Sequence, residues 1–376
     1  MADGIGSVLV LGLGKVGSLV AAVLQETGFE VMGADGREVS DPGFPTRTLD
    51  VRQGAQLSDA LEAFDAVVSC LPYHLNLAVA QAAHERGVPY FDLTEDVATT
   101  RAIREMSATA HAVMAPQCGL APGFIGIVGA SLAQGFDRIR SIRLRVGALP
   151  QHPTGLLGYA FNWSPEGVVN EYLNDCEVIE DGRRKWVSPL EWIETIVIDG
   201  VRLEAFTTSG GLGTMCETFL GRVENLDYKT IRYPGHARMM NFFFHELLLR
   251  EDRQRAGEIL VNAKPPVSDD VVYIHASAEG WKGGQLCREE FVRSYYPLEI
   301  AGKRRRAIAW TTAASVSSVV EMVSRGVLPG RGFLRQEEIP LEAFLATRNG
   351  KRFLDFCSPS GQAEGGDGSS LVSARG

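Results

Sequence analysis

Between Val8 and Asp35 the chain reads Val-Leu-Val-Leu-Gly-Leu-Gly-Lys-Val-Gly and runs on to Val31-Met32-Gly33-Ala34-Asp35, and this stretch constrains the fold more than any other. The apolar run over residues 8–11 has the length and branching of a buried parallel strand. It feeds directly into Gly12, Gly14 and Gly17 at GxGxxG spacing. Gly12 suits the tight turn out of the strand, Gly14 lets a pyrophosphate approach the backbone, and Gly17 lets the next helix pack closely on the sheet. That helix, expected over residues 15–27, brings Lys15 and Val16 into its first turn and points its N–H groups and positive dipole end at the phosphates. Strand, glycines, helix, second strand and terminal acid occur in order, which a chance glycine triplet does not provide.

The second strand, residues 30–34, ends in Asp35, where a carboxylate can accept hydrogen bonds from both hydroxyls of an adenosine ribose. That favours NAD over NADP, because a 2′-phosphate against Asp35 meets a like charge. Arg37 tempers the preference, since a guanidinium turned inward can clamp a 2′-phosphate; NADP stays possible.

Further along, residues 48–51 read as a short third strand. Asp50 and Val51 at its end fit the adenine rim, although Asp50 as an N-cap for the segment 55–64 is the plainer reading. Residues 66–70 form a fourth buried strand ending at Cys70-Leu71-Pro72, with Tyr73 next. Ligands of a doubly wound sheet gather at the carboxyl ends of its strands, so this turn faces the nicotinamide half of the cofactor. A helix over 75–86, a fifth strand over 90–93 ending in Thr94-Glu95-Asp96, a helix over 99–109 and a strand over 112–114 complete six β units.

After residue 122 the pattern changes. A helix over 124–134 leads into residues 139–147, where Arg140, Arg143 and Arg145 alternate with Ile142, Leu144 and Val146 as in a half-exposed strand. Trp186 and the runs 196–198, 203–206, 271–276 and 291–298 are of similar type. A helix over 238–249 carries Phe242, Phe243 and Phe244, a cluster for a core or a dimer interface. The expected fold class is therefore α/β: a Rossmann doubly wound parallel sheet with a second α+β domain on a mixed, largely antiparallel sheet. The expected divisions are a dinucleotide-binding domain over 1–122, a substrate-binding and dimerisation domain over 123–306, a small-residue helical segment over 307–350 returning to the first domain, and a Gly/Ser-rich disordered tail over 358–376.

A net charge of −9 argues against a nucleic-acid partner. The basic run 303–306 reads as a solvated strand edge or hairpin. Six scattered cysteines without a CxxC pair suggest no zinc site or disulfide framework and a reduced, cytoplasmic setting, and the histidines lack metal-ligand spacing, so no metal is expected. No apolar run approaches the roughly 18 residues of a membrane span, and no signal-peptide pattern is evident at the N-terminus.

Three further runs carry a resemblance: residues 68–73 before a helix, Cys-Gly-Leu-Ala-Pro-Gly at 118–123, and Leu-Gly-Tyr-Ala-Phe-Asn-Trp-Ser-Pro-Glu-Gly at 157–167. With Tyr-Lys-Thr-Ile-Arg-Tyr-Pro-Gly-His at 228–236, the chain resembles the saccharopine dehydrogenase family from about residue 8 to 350, and within it the bacterial lysine 6-dehydrogenase branch. Two departures touch substrate identity. Leu-Thr-Glu-Asp stands at 93–96 where lysine 6-dehydrogenases usually have a glycine- and histidine-containing turn, and Ala121 stands where saccharopine enzymes usually have Asp.

The resemblance implies an NAD(P)-dependent oxidoreductase acting on CH–NH2 or CH–NH groups, with an amino-acid substrate and a homodimer or higher homo-oligomer. Lysine oxidised at its side-chain amine is the leading reaction. A saccharopine or other carboxyalkyl-amine dehydrogenase is the rival, and a nicotinamide-binding regulatory protein without turnover the alternative of another class. The amine must be neutral before hydride leaves, so a base titrating near neutrality is needed. His236 is the first expectation, with a turn-satisfying histidine as the plainer reading. Glu95 and Asp96 are the other candidates, against a helix N-cap. Arg232 suits a substrate carboxylate. Tyr73, Thr94, Asn162, Trp163 and Ser164 suit the wall of an aliphatic pocket. Lys229 belongs to the same motif, though a solvated lysine is the plainer reading.

Overall fold

Strand β1 (Ser7–Leu11) is buried along its apolar run, each of its Val and Leu side chains contributing about 1.5–3 kcal/mol. Helix α1 (Gly17–Thr27) returns over it to β2 (Glu30–Asp35) and β3 (Thr46–Thr48). Then come α2 (Gly54–Glu62), β4 (Ala66–Ser69), α3 (Tyr73–Arg86), β5 (Tyr90–Asp92), α4 (Val97–Ser107) and β6 (Val113–Ala115). These features belong to a computed structural model that describes residues 4–40 and 42–354. The expected tail at 358–376 lies outside the described residues.

The first sheet has seven parallel strands, in the order β17-β6-β5-β4-β1-β2-β3, where β17 (Gly332–Phe333) arrives from far along the chain. Register places the ends of three strands together: Leu11 lies beside Ala34 and Ser69. Gly12 N–H then donates to the Ala34 carbonyl and Cys70 N–H to the Leu11 carbonyl, both at 2.8 Å. The glycine turn is thereby pinned between the ends of β2 and β4.

Helix α5 (Phe124–Ala133) carries the chain into the second domain through β7 (Arg138–Pro150), α6 (Pro165–Leu173), β8 (Cys176–Glu180), β9 (Arg183–Val187), β10 (Glu194–Ile198) and β11 (Val201–Thr207). It continues with α7 (Met215–Phe219), β12 (Val223–Arg232), α8 (His236–Asn241), α9 (Arg253–Ala263), β13 (Asp270–Lys282) and β14 (Gln285–Tyr295). The second sheet runs β10-β11-β12-β7-β13-β14, with β8 and β9 attached at β12. Only β12 and β7 pair in parallel, so the sheet is mixed and largely antiparallel as expected.

A small hairpin, β15 (Leu298–Ile300) and β16 (Lys303–Arg305), contains the basic run. Helix α10 (Ala307–Ser324) then packs on α1, its small residues permitting the approach. Ser324 Oγ donates to the Ile5 carbonyl at 2.8 Å, and beyond β17 and α11 (Leu341–Ala346) Asn349 Nδ2 donates to Thr27 Oγ1 at 2.8 Å.

Several local expectations shift. The third strand is Thr46–Thr48, not 48–51, because β2 and β3 pair from Gly33 with Thr46 to Asp35 with Thr48. Asp50 is not the cap of α2, whose N-cap is Gln53; it forms a two-pronged pair with Arg52 instead. Strand β7 is longer than expected, and its exposed residues, Arg138, Arg140 and Arg143, all fall in its first half; from Leu144 onward every residue is buried. Arg145 is accordingly buried and paired with Glu194 and Asp227. The helix expected over 238–249 is α8 followed by a π-helical turn at Phe242–Glu246; Phe244 is core, while Phe242 is exposed.

Candidate active site

The glycine turn fits a dinucleotide on local grounds. Gly12 holds a φ of +85°, and a Cβ there would lie 2.9 Å from the Cys70 carbonyl oxygen. A Cβ on Gly17 would lie 1.8 Å from the Gly12 oxygen, so the helix can approach only as glycine. Gly14 faces open space, with nothing within 4 Å of where a Cβ would stand. Helix α1 has neither a side-chain cap nor an acidic residue in its first turn, which leaves its N–H groups for an anion.

Asp35 joins this turn to β2. Its Oδ2 accepts from Leu13 N–H at 2.8 Å and its Oδ1 from Arg37 N–H at 3.1 Å, each oxygen keeping a lone pair for a ribose hydroxyl. The Arg37 side chain is exposed. Asp50, held by Arg52, and Val51, buried in the α2 side of the core, do not join the cleft described next. Pro72 is exposed and precedes α3; it too lies outside.

A cavity of about 370 Å³ opens between the carboxyl edge of the parallel sheet and one face of the second sheet. The first domain contributes Gly14, Lys15, Val16, Gly17, Cys70 and Leu71, and beside them Tyr73, Thr94 and Glu95. Asn162, Trp163, Ser164 and Glu171 arrive from the loop before α6 and from α6 itself. Strand β12 adds Tyr228, Thr230 and Arg232, every second residue, as strand geometry requires. Burial pushes the Cys70 thiol up to about 12, so this residue is a neutral wall.

Lys229 lies on the other face of β12. Its Nζ donates to the Trp192 carbonyl at 2.6 Å and to Glu194 at 2.9 Å, in the cluster that holds Arg145. The expectation that Lys229 meets substrate does not fit this placement. Nor is Lys229 the solvated lysine of the plainer reading, since it is buried and ion-paired. Asp96 does keep to its plainer reading, capping α4 by accepting from Thr99 N–H at 2.7 Å. Ser164 caps α6 through Gly167 N–H at 3.1 Å while lining the cleft, and Asn162 Oδ1 accepts from Val267 N–H at 2.9 Å.

His236 lies behind the cleft, 1% exposed. Its Nδ1 meets the Leu157 carbonyl at 2.9 Å, and because a carbonyl only accepts, that nitrogen carries the proton. Nε2 is therefore the acceptor for the Tyr172 hydroxyl at 3.0 Å, and the Tyr172 oxygen accepts from Arg232 Nε at 2.8 Å. Burial, with the positive Arg232 nearby, lowers the His236 pKa to about 3. With both nitrogens engaged and no face on the cleft, His236 positions Arg232 through Tyr172 and is not placed to take a substrate proton.

Two carboxyls do face the cleft. Glu95, at the end of β5, is raised to about 7 by burial, with Asp96, Asp92 and Glu166 adding repulsion. Gly167 and Gly210 make its enclosure possible: a Cβ on the first would lie 2.9 Å from Glu95 Oε1, and one on the second 2.7 Å from the Glu95 carbonyl oxygen. Glu171 is raised to about 8 by burial, against the lowering influence of Arg232. Its Oε2 lies 3.9 Å from Arg232 Nη2 and has no hydrogen-bond partner among the described residues. Beneath the site Asp92, pushed by burial up to about 6, accepts from Tyr90 Oη at 2.7 Å and from the N–H groups of Thr94 and Gln117 at 2.9 Å, tying the ends of β5 and β6.

Glu171, Tyr172 and Asp92 were not legible as site residues in the sequence. The period-two phase of β12 was a usable signal for separating Lys229 from Arg232. No group of three or more His, Cys, Asp and Glu side chains fit to hold a metal occurs among the described residues, and no described helix is long and apolar enough to cross a membrane.

Residues 8–116 match the saccharopine dehydrogenase NADP binding domain and residues 119–349 the saccharopine dehydrogenase C-terminal domain. The chain is 23% identical over 211 residues to the mitochondrial alpha-aminoadipic semialdehyde synthase of Mus musculus, an alignment covering 51% of this chain and 22% of that protein. It is 24% identical over 160 residues to saccharopine dehydrogenase (NADP(+), L-glutamate-forming) of Schizosaccharomyces pombe, covering 41% of this chain and 36% of that protein. The matched stretch is thus well under half the length of these relatives. The fold is shared with the apo histidine-tagged saccharopine dehydrogenase (L-Glu forming) of Saccharomyces cerevisiae, at a TM-score of 0.70 and 16% identity over 88% of this chain and 94% of that one. With two successive segments matching two domains of one family, in order and over most of its length, the chain belongs to the saccharopine dehydrogenase family.

Proposed function

We propose that the protein is a nicotinamide-dependent amino-acid dehydrogenase that oxidises a carbon–nitrogen bond, with lysine at its side-chain amine as the leading substrate. The observation that carries this reading is the pairing of Glu95 with Arg232 in one cleft beside the glycine turn. When bound, the nicotinamide supplies a hydride acceptor. The chain's own residues then have three tasks. Arg232, fixed by Tyr172 and the Ile231 carbonyl, keeps Nη2 for a substrate carboxylate. Glu171 Oε2 faces the same point and suits an α-ammonium group. Glu95 takes the proton from the reacting amine, whose lone pair forms the C=N bond as the C–H bond breaks; water then opens the imine and ammonia leaves.

The titratable cations lining the cleft are Arg232 and, at the glycine turn, Lys15. One buried cation suits a substrate with one carboxylate, which favours lysine over saccharopine with its several carboxylates. Saccharopine or another carboxyalkyl amine is the second reading, favoured by the names of the relatives. Asp35 supports NAD, while exposed Arg37 and the NADP binding domain match support NADP. We place NAD first on the like-charge argument. Exposed Phe242, Leu247 and Leu248 support a homodimer, which sedimentation tests.

The reading is tested by formation of reduced cofactor, with NAD and NADP separately, from lysine, ornithine and saccharopine. NAD reduction with lysine is expected. Response to saccharopine alone selects the second reading, and silence with every amine, cofactor binding being confirmed, selects the non-catalytic class.

A further inference from the structure

Behind Glu95, Glu171 and Tyr228 lies a second chamber of about 380 Å³, for which the three side chains form a common wall with the cleft. Its lining is acidic: Glu95, Asp96, Glu171, Asp175 and Glu177 stand against the single cation Arg101. Of these acids Glu177 is paired with Arg184, Asp96 is engaged as a helix cap and Glu95 serves the cleft, which leaves Asp175 and the shared wall residue Glu171 for the chamber. Acidity alone does not define a ligand. Two further observations do.

First, two side chains more than nine-tenths buried line the chamber with a polar atom that makes no hydrogen bond. Glu171 Oε2 and Thr208 Oγ1 have no hydrogen bond among the described residues, although neighbouring Thr207 Oγ1 donates to the Ser188 carbonyl at 2.8 Å. A buried acceptor left unpaired costs about 1–3 kcal/mol and marks a place where a donor belongs. Second, the chamber is shaped by the loop Ser209-Gly210-Gly211-Leu212-Gly213, which only glycine permits. A Cβ on Gly211 would lie 2.3 Å from the Tyr228 ring, and Gly210, at a φ of +87°, presses on the Glu95 backbone. The Tyr228 and Trp186 rings supply aromatic faces in the chamber, which suit methylene groups and a cation.

From this arrangement we infer that the chamber binds an alkylammonium group carried on an aliphatic chain, such as the end of a diamine or polyamine. Thr208 accepts its N–H groups, joined by Glu171 wherever no α-ammonium group occupies that carboxylate from the cleft side; Asp175 adds charge, and the aromatic rings cover its methylenes. The inference rests on the dehydrogenase reading in one respect. If the ammonium belongs to the substrate, the substrate is a carboxyalkylated diamine, with its carboxylate at Arg232, its reacting nitrogen beside Glu95 and its far nitrogen in the chamber. A separate amine is the other source of the same chemistry.

The test is calorimetric titration of the cofactor-free full chain with spermidine and 1,5-diaminopentane, using 1,5-pentanediol as the uncharged control. Saturable binding of the amines and none of the diol is expected, about tenfold weaker in Thr208→Val, which removes one acceptor at constant shape. Asp175→Asn, at an exposed position, should weaken it less and keep the unfolding temperature unchanged. In turnover assays, an amine that raises KM without lowering kcat places the substrate's own far end in the chamber, and one that leaves KM unchanged marks a separate ligand. Either outcome supports the ammonium site. No amine binding, equal binding of diol and diamine, or unchanged affinity in both variants overturns it. Binding is read without turnover, so a protein that takes up the amines and reduces no cofactor overturns the dehydrogenase reading alone. One that reduces cofactor with lysine and binds no diamine overturns the chamber alone.

Discussion

Arg232 Nη2 and Glu171 Oε2 face each other 3.9 Å apart, near enough for each to moderate the other's charge and too far to hydrogen-bond. Both side chains are buried, so the unmade bond leaves a donor and an acceptor at one place in the cleft wall. A zwitterion offers the complementary pair. Replacing Arg232 with Lys keeps the charge and loses the planar fork. The expected result in steady-state kinetics is a KM for the amino-acid substrate raised about 10–100-fold, with kcat changed far less.

Glu95 is the one carboxyl on the cleft that burial brings to about 7 at the end of a parallel strand. The base must be ionised, so kcat/KM should rise with pH through that region and level off above it. Glu95→Gln should lower kcat by about 10²–10⁴-fold and remove that limb from the pH profile. A profile unchanged in shape in the variant would place the base elsewhere.

His236 gives the opposite expectation. Its pKa, lowered to about 3, leaves it neutral throughout the working range, and its hydrogen bonds hold Tyr172 and through it Arg232. His236→Asn should therefore raise KM and lower the unfolding temperature while leaving the limb near pH 7 in place. Loss of that limb in His236→Asn would restore the histidine as the base.

The buried carboxyls also set how stability follows pH. Glu95 and Glu171 have folded pKa values of about 7 and about 8, above the ordinary glutamate value of 4.5. The folded state therefore binds more protons than the unfolded state between those values, and stability falls as pH rises through the window. The lowered His236 works in the other direction, but only below about pH 6.5. Between pH 6.5 and 8 the unfolding temperature of the cofactor-free protein should drop, and Glu171→Gln should flatten the drop.

Asp35 connects the ribose site to the glycine turn through Leu13 N–H. Asp35→Ser removes the negative charge that a 2′-phosphate would meet and leaves Arg37 in place. The ratio of kcat/KM for NADP over NAD should rise about tenfold or more, read by paired cofactor titrations at saturating amine.

Much of this was legible in the chain because its information is local. The glycine spacing, the apolar strand before it and Asp35 after it lie within one βαβ unit, and short-range sterics set each position. The small-residue helix α10 was legible for the same reason. The site was less so. Glu171 and Tyr172 lie inside α6 with no motif around them, and they become functional only because β12 delivers Arg232 from some sixty positions away in sequence. His236 was attractive for its intrinsic titration range, which burial cancels. Lys229 shared a motif with Arg232 but not a strand face, and strand period alone separates residues an odd number apart. Arg145 read as a surface residue because alternation does not show that another strand pair, through Glu194 and Asp227, neutralises it.

The most direct test of C–N oxidation is the fate of the hydrogen. Lysine carrying deuterium on its ε-carbon is incubated with the protein and NAD or NADP, and the reduced cofactor is examined by mass spectrometry. Deuterium in the reduced nicotinamide, with a primary isotope effect on single-turnover reduction, is the expected result. Reduced cofactor free of deuterium would contradict hydride transfer from the side-chain carbon, and no reduction with lysine or any other amine, with cofactor binding confirmed, would contradict the dehydrogenase reading itself.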